Sequence, residues 1–156
     1  MSSLREYRSS EFEELWKLDQ RCFAPGIAYS REELAHYLAN KGAICLVARR
    51  EGEIAGFILA HHDRRGFGHI VTLDVDPAQR RSGLGSTLMQ ATEKRLQQQG
   101  LTSVFLEVAV NNRPALGFYK KHGYSVLKTL RHYYPDDLDG LLMGKKLREP
   151  RDENRP

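Results

Sequence analysis

The chain is poor in cysteine and proline and has no long apolar run. Among its 156 residues are two cysteines and six prolines, and no stretch approaches the roughly 20 apolar residues of a membrane-crossing helix. Cys22 and Cys45 lack the spacing of a metal site, so reduced thiols are expected, with no metal and no disulfide. The opening residues, Met1-Ser2-Ser3-Leu4-Arg5-Glu6, carry no apolar signal segment, so a cytoplasmic protein without membrane association is expected. No internal repeat or low-complexity block is present. The charge is not one-sided either: 24 Lys and Arg stand against 20 Asp and Glu, a net of +4. That excess permits attraction to a phosphate-bearing ligand, nucleic acid or a ribosome surface without selecting among them. Aromatic residues do not interleave with the basic residues of the tail, so no specific nucleic-acid binding is expected.

What is present is one folding unit over residues 1–147 and a charged, apolar-poor tail over 148–156, expected to be disordered. The informative stretch runs from Leu73 to Gln99. A strand from His69 to Val75, with Val71, Leu73 and Val75 on one face, ends at Asp76-Pro77, where proline stops sheet pairing. Arg80, Arg81, Ser82, Gly83 and Gly85 follow. Then Leu84, Leu88, Ala91 and Leu96 recur at helical spacing. A helix start presents unpaired N–H groups and partial positive charge, and glycines let backbone approach closely, so strand, basic glycine loop and helix together suit a pyrophosphate. An ordinary βα turn with a solvated arginine pair is the plain alternative. Two other phosphate loops are excluded: the third glycine of the dinucleotide fingerprint is missing, and no Lys-Ser/Thr follows as a P-loop requires.

Around this stretch the pattern predicts a strand at Ser3 to Arg8, then a helix opened by a capping box at Ser10 and Glu13 and carried by Phe12, Leu15, Trp16 and Leu18. A second box at Ser30 and Glu33 opens a helix with Leu34, Tyr37 and Leu38 inward. The loop between, Cys22 to Tyr29, is apolar and turn-rich, which suits either a flap over the core or a wall of a cleft. Ala43 to Arg50 and Ile54 to His62 read as a hairpin turning at Glu51-Gly52. His61 and His62 are neighbours on a strand, point to opposite faces and so do not share an ion.

Ser103 to Val110 reads as a central strand with Val104, Leu106, Val108 and Val110 on one face and Phe105, Glu107 and Ala109 on the other. Burying a carboxylate is costly unless it is paired, hydrated or at an opening, which makes Glu107 either a satisfied structural acid or a candidate base. Asn112 then caps a short helix with Pro114 in its first turn, and Gly123 ends it. Tyr119 on that helix approaches the strand end. Tyr124 to Tyr134 and Leu138 to Leu147 read as a closing hairpin.

Two stretches carry a family resemblance. Arg80-x-x-Gly83-x-Gly85 after a strand resembles the acyl-CoA pyrophosphate signature of the GNAT acetyltransferase superfamily. Asn112-x-x-Ala115-x-x-Phe118-Tyr119-x-x-x-Gly123-Tyr124 resembles its second motif. Leu106-Glu107-Val108, Arg131-x-Tyr133-Tyr134-Pro135 and Leu142-Met143 are similar to protein N-terminal acetyltransferases, particularly the ribosomal-protein-alanine (RimI) type. Gly68-His69-Ile70 and Tyr133-Tyr134 are also similar to the catalytic subunits of archaeal and eukaryotic N-terminal acetyltransferases. The resemblance implies an α/β (α+β) domain: a mixed, mostly antiparallel sheet of about seven strands flanked by about four helices, with acyl-CoA between the central strands. Departures at Ala109, Asn111 and Leu138 to Leu141 fall near the acceptor side.

The implied roles are specific. Glu107 takes the amine proton, directly or through water, and Tyr119 protonates or hydrogen-bonds the departing sulfur. Acetyl-CoA is held by the backbone at Leu73 and Val75, by Arg80, Arg81, Ser82, Gly83, Gly85 and Ser86, and by Asn112, Ala115 and Tyr119. Phe23, Tyr29, Tyr133 and Tyr134 hold the acceptor, a protein or peptide N-terminus with a ribosomal protein among the candidates. The chain is expected to act as a monomer or weak homodimer. An α-amino group titrates near ~8 and a lysine near ~10.4, and one modest carboxylate base suits the former without excluding the latter. A GNAT enzyme for a small amine or a lysine side chain and a non-catalytic acetyl-CoA-binding module remain as alternatives.

Overall fold

The parallel pairing of two central strands, in an otherwise antiparallel sheet, opens the cleft on which function turns. The computed structural model describes residues 3–63 and 65–147, so the expected tail at 148–156 lies outside the described residues. The strands are β1 (Ser3–Glu6), β2 (Ile44–Arg50), β3 (Glu53–His62), β4 (Phe67–Val75), β5 (Ser103–Ala109), β6 (Ser125–Tyr134) and β7 (Leu138–Lys146). The helices are α1 (Phe12–Cys22), α2 (Arg31–Leu38), α3 (Leu84–Gln98) and α4 (Arg113–Lys121), with short 3-10 turns at Ser9–Glu11 and Pro77–Gln79. The seven strands lie in the order β1-β2-β3-β4-β5-β7-β6. β4 and β5 run parallel and are joined through α3, as a parallel pair requires. Among the described residues no helix is long and apolar enough to cross a membrane.

Each face of the sheet buries its own core. On one side Leu15, Leu18 and Leu34 of α1 and α2 pack on Val47, Phe57, Leu59 and Val71. On the other, Leu84, Leu88, Met89 and Leu96 of α3 pack on Ile58, Ile70, Leu106 and Met143, with Phe118 and Tyr119 of α4 against the same cluster. The Ser30–Glu33 box forms at α2, where Glu33 N donates to Ser30 Oγ at 3.1 Å and Ser30 N to Glu33 Oε1 at 3.1 Å. The box expected at Ser10 and Glu13 does not form. Arg8 N donates instead to Glu11 Oε1 at 2.9 Å, because Glu11 is drawn inward by the guanidinium groups of Arg5 and Arg49. Those cations hold its pKa down at about 2.

A bulge decides which way β4 faces. Leu59 pairs with Thr72 but Ala60 pairs with Ile70, which leaves Val71 as an extra residue. Val71 joins the α1/α2 core while Leu73 and Val75 pack toward α3. The expectation that Val71, Leu73 and Val75 share a face is therefore corrected: one inserted residue reverses the alternation.

The same reversal puts Asp74 under α1, where it meets Asp19; both are fully buried at 0% exposure. Asp19 Oδ2 accepts from Tyr29 N at 2.8 Å, and Thr72 Oγ1 donates to Asp74 Oδ1. No hydrogen bond to another described group reaches Asp19 Oδ1 or Asp74 Oδ2, which a proton on Asp74 facing Asp19 accounts for. Burial and the neighbouring Asp19 carboxyl raise the Asp74 pKa well above the ordinary aspartate value. An unfolded aspartate releases its proton near ~3.9. The native state therefore binds more protons above that pH, and stability falls as pH rises from about 4. Asp74→Asn, whose amide can replace the proton, should lose less stability between pH 5 and 8 than the wild type. Thermal midpoints at the two pH values test this, and parallel falls would contradict it.

Candidate active site

Beyond their first residues β4 and β5 separate. Their pairing is confined to Phe67, Gly68 and His69 against Ser103, Val104 and Phe105, and the bulge at Val71 follows on β4 directly. The splay leaves a cleft of about 1010 Å³. Leu73 and Val75 form one wall and Leu106 to Ala109 the other, with α3 and α4 at one end and the α1–α2 loop and β6–β7 tip at the other. Of the residues singled out in the sequence, Ser82 alone does not line it. Its hydroxyl is spent locally, donating to the Gln79 carbonyl and accepting from Arg50 Nη1 at 3.0 Å. The sequence motif places Ser82 in the loop but cannot show which way its side chain turns.

The α3 end is built for an anion. Gly83 is the N-cap with φ +82° and offers no side-chain cap, so the first N–H groups of α3 have no intrahelical partner and face the cleft. A Cβ on Gly83 would meet nothing within 4 Å, whereas one on Gly85 would lie 3.3 Å from the Phe118 ring. The first glycine serves the backbone turn and the second the close approach of α4. Arg81 also takes a positive φ of 66°. Arg80 folds back, its Nε donating to the Val75 carbonyl at 3.3 Å. Lys121 lines the same end. Three cationic side chains around a bare helix start fit a pyrophosphate and its neighbouring phosphate. Asn112 Oδ1 accepts from Ala115 N at 3.3 Å, so its side chain caps α4 while the residue borders the cleft. Ser86 Oγ lies 2.9 Å from His122 Nε2, and burial lowers the His122 pKa.

Glu107 and Tyr119 both line the cleft, from β5 and α4. Burial, then the proximity of the Asp74 and Tyr134 side chains, push the Tyr119 phenol well above its usual pKa. It is therefore a protonated donor at neutral pH, and its hydroxyl has no hydrogen-bond partner among the described residues. Its ring is fixed by Phe118 and Tyr124, with centroids 5.5 Å and 5.9 Å away. Glu107 is 22% exposed, and its Oε2 lies 2.6 Å from His69 Nε2. His69 was not among the candidate residues. Only Gly68-His69-Ile70 pointed toward it, and its contact with Glu107 depends on β4 and β5 lying side by side, which sequence spacing does not show.

The far end is aromatic and roofed. Phe23, Tyr29, Tyr37, Tyr133 and Tyr134 line it together with Ile27 and Glu33. Tyr29 and Tyr37 meet edge to face at 5.5 Å, as do Tyr133 and Tyr134 at 4.9 Å. Burial raises all four phenols, so they are neutral. The Tyr29 hydroxyl donates to the Val71 carbonyl at 3.2 Å, tying the loop to the bulge. Above them the loop touches the hairpin tip: a Cβ on Gly26 would lie 2.9 Å from Pro135 Cγ. Cys22 lines the cleft too, but burial pushes its thiol up to about 12, so it is no thiolate at neutral pH. Among the described residues no group of three His, Cys, Asp or Glu side chains is arranged to hold a metal.

Comparison with known proteins places the chain in a family and matches its fold. The acetyltransferase (GNAT) family profile matches residues 11–124. An N-alpha-acetyltransferase of Sulfurisphaera tokodaii is 31% identical over 157 aligned positions, covering 92% of each chain. Among solved structures, Ard1 from Thermoplasma volcanium superposes with a TM-score of 0.87 at 27% identity, over 95% of this chain and 99% of that one. The ribosomal-protein-S18-alanine N-acetyltransferase of Escherichia coli reaches the same TM-score of 0.87 at 21% identity, over 100% and 99%.

Proposed function

This chain belongs to the GNAT acetyltransferase family, and on that premise we propose that it moves the acetyl group of acetyl-CoA to the α-amino group of a protein or peptide N-terminus. The supporting observation is the roof at Gly26 and Pro135. An internal lysine brings chain on both sides of the reacting nitrogen, whereas a chain end needs one way in. A cleft bridged over its acceptor end suits the latter. The relatives named for N-terminal acetyl transfer support the same reading.

The reaction joins an amine nitrogen to the acetyl carbonyl carbon, breaks the carbon–sulfur bond, and needs a proton removed from nitrogen and one supplied to sulfur. Acetyl-CoA would be held by the α3 start with Arg80, Arg81 and Lys121, and along β4 at Leu73 and Val75. Glu107 takes the proton from the amine, directly or through one water, with its Oε2 held by His69. Tyr119 donates toward the leaving sulfur. A phenol with a raised pKa faces a thiolate whose own pKa is near ~8.5, so Tyr119 acts by hydrogen bonding to the developing charge more than by full transfer. Among the described residues no activated nucleophile lines the cleft, since burial keeps the Cys22 thiol protonated, which suits direct transfer without an acyl-enzyme. Phe23, Tyr29, Tyr133 and Tyr134 enclose the first residue of the acceptor.

The test is CoA release from acetyl-CoA with free N-terminal peptides, with N-terminally blocked lysine peptides and with simple amines. Turnover with the first group alone is expected. Turnover with amines alone would replace this reading by a small-molecule acetyltransferase, and CoA binding without any turnover would point to a silent module. A ribosomal-protein N-terminus belongs in the panel because the Escherichia coli structural neighbour is named for one.

A further inference from the structure

Behind Glu107 the polar contacts continue away from the cleft. His69 Nδ1 lies 3.2 Å from Nε2 of His61, its direct partner across β3 and β4. The two rings meet edge to face with centroids 5.1 Å apart. His61 does not border the cleft. On its other side the Tyr37 ring stacks at 6.2 Å and 26°, so the imidazole is clamped between α2 and β4.

We propose that His61 is a positioning residue for Glu107, acting through His69. Its Nε2–H donates to His69 Nδ1, which leaves the His69 hydrogen on Nε2, directed at Glu107 Oε2. The assignment rests on Glu107 being the base. A nitrogen-to-nitrogen contact holds a single hydrogen, since two would collide and none would oppose two lone pairs. Were that hydrogen on His69 Nδ1 with His69 neutral, a bare Nε2 lone pair would confront the Glu107 carboxylate at 2.6 Å. The arrangement with His61 as donor avoids this. It anchors one carboxylate oxygen and leaves the other for the acceptor amine.

The surroundings favour a neutral His61. Burial, then the proximity of His69, lower its pKa, against smaller opposing contributions from the His62 backbone and then from Asp63. The groups around it are Tyr37 from α2, His69 from β4 with Glu107 beyond it, and, along the chain, the neighbouring His62 and Asp63 just past the end of β3. His62 turns the other way, its ring lying 3.1 Å from where a Cβ on Gly42 would stand. Adjacent histidines thus have separate surroundings, which the opposite facing of neighbouring strand residues produces.

The experiment uses the full chain and two variants. His61→Phe keeps a ring under Tyr37 but removes the donor, and His61→Gln keeps a polar end. The expected result for His61→Phe is a fall in kcat of about 10- to 100-fold, the scale on which partners behind a functional side chain act, with KM for acetyl-CoA unchanged. His61→Gln should recover most of the rate. The ring-nitrogen NMR shifts of 15N-labelled histidine give a readout that packing alone would not move. His69 should be the Nε2–H form in the wild type and a mixture of tautomers in His61→Phe. A wild-type His69 spectrum in that variant, with or without slower turnover, overturns the proposal. So does a glutamine variant as slow as the phenylalanine one at a wild-type melting temperature. The spectra need no acceptor, so a failure of the proposed acceptor chemistry stays distinguishable from a failure here.

Discussion

Replacing Glu107 by glutamine is expected to lower kcat by about 10²- to 10⁴-fold and to leave acetyl-CoA binding at the wild-type level. The amide has nearly the shape of the carboxylate and can still accept from His69 Nε2–H, now 2.6 Å from Oε2. Fold and cleft are therefore kept. What is lost is a group that can accept the proton of the amine. Because the end of the cleft proposed to hold acetyl-CoA is lined by α3, α4 and Arg80, Arg81 and Lys121, binding measured by titration calorimetry should not respond. A glutamine variant with the wild-type rate between about pH 6 and 9 would remove Glu107 as the base. A variant that fails to bind acetyl-CoA would place its role in structure instead.

The second large effect is expected at Tyr119. Its ring is packed by Phe118 and Tyr124, so Tyr119→Phe keeps the packing and deletes one hydroxyl that has no partner among the described residues. No buried acceptor is left unpaired, and stability should change little. Loss of one donor to a developing charge costs about 10²- to 10³-fold in kcat in comparable sites. KM for the acceptor should hold, since the hydroxyl acts on the departing sulfur and not on the amine. Equal losses in kcat and in acetyl-CoA affinity would show that the hydroxyl holds the ground state, contrary to its assignment. Single-turnover kinetics with the Kd measured separately decides between these outcomes.

The two substitutions fall on residues that the sequence marks in different ways. Glu107 stands out because a carboxylate interrupts an apolar central strand, whereas Tyr119 by itself reads as a half-buried core aromatic and is singled out by the resemblance of the Asn112 to Tyr124 stretch, on a helix whose start Asn112 and Pro114 fix. The strand–glycine loop–helix order was equally readable, since Gly83 does adopt the left-handed conformation that the loop requires. The hidden features all depend on register. The bulge at Val71 adds a residue without any change in composition, and it turns Asp74 inward toward Asp19. His69 and His61 are unremarkable on their own strands and become a line only when β3, β4 and β5 are aligned. Ser82 shows the converse, a motif position whose side chain turns away from the cleft. Glu11 shows how two cations can take a helix cap from the residues that local pattern favours.

The bulge also links the parts of the cleft. Val71 supplies the carbonyl that holds Tyr29, Asp19 holds the Tyr29 backbone, and the same irregularity lies just past the last β4–β5 pair, at His69. One inserted residue thus stands where β4 and β5 part and holds the α1–α2 loop at the aromatic end of the cleft.

The most direct measurement uses one peptide that offers both chemistries: a free N-terminus and an internal lysine, incubated with acetyl-CoA and mapped by tandem mass spectrometry. Acetyl on the α-nitrogen alone, lost in the Glu107→Gln variant, is the expected result. Acetyl on the lysine side chain, or on neither nitrogen while a small amine in the same mixture is acetylated, would contradict the assignment of this cleft to protein N-termini.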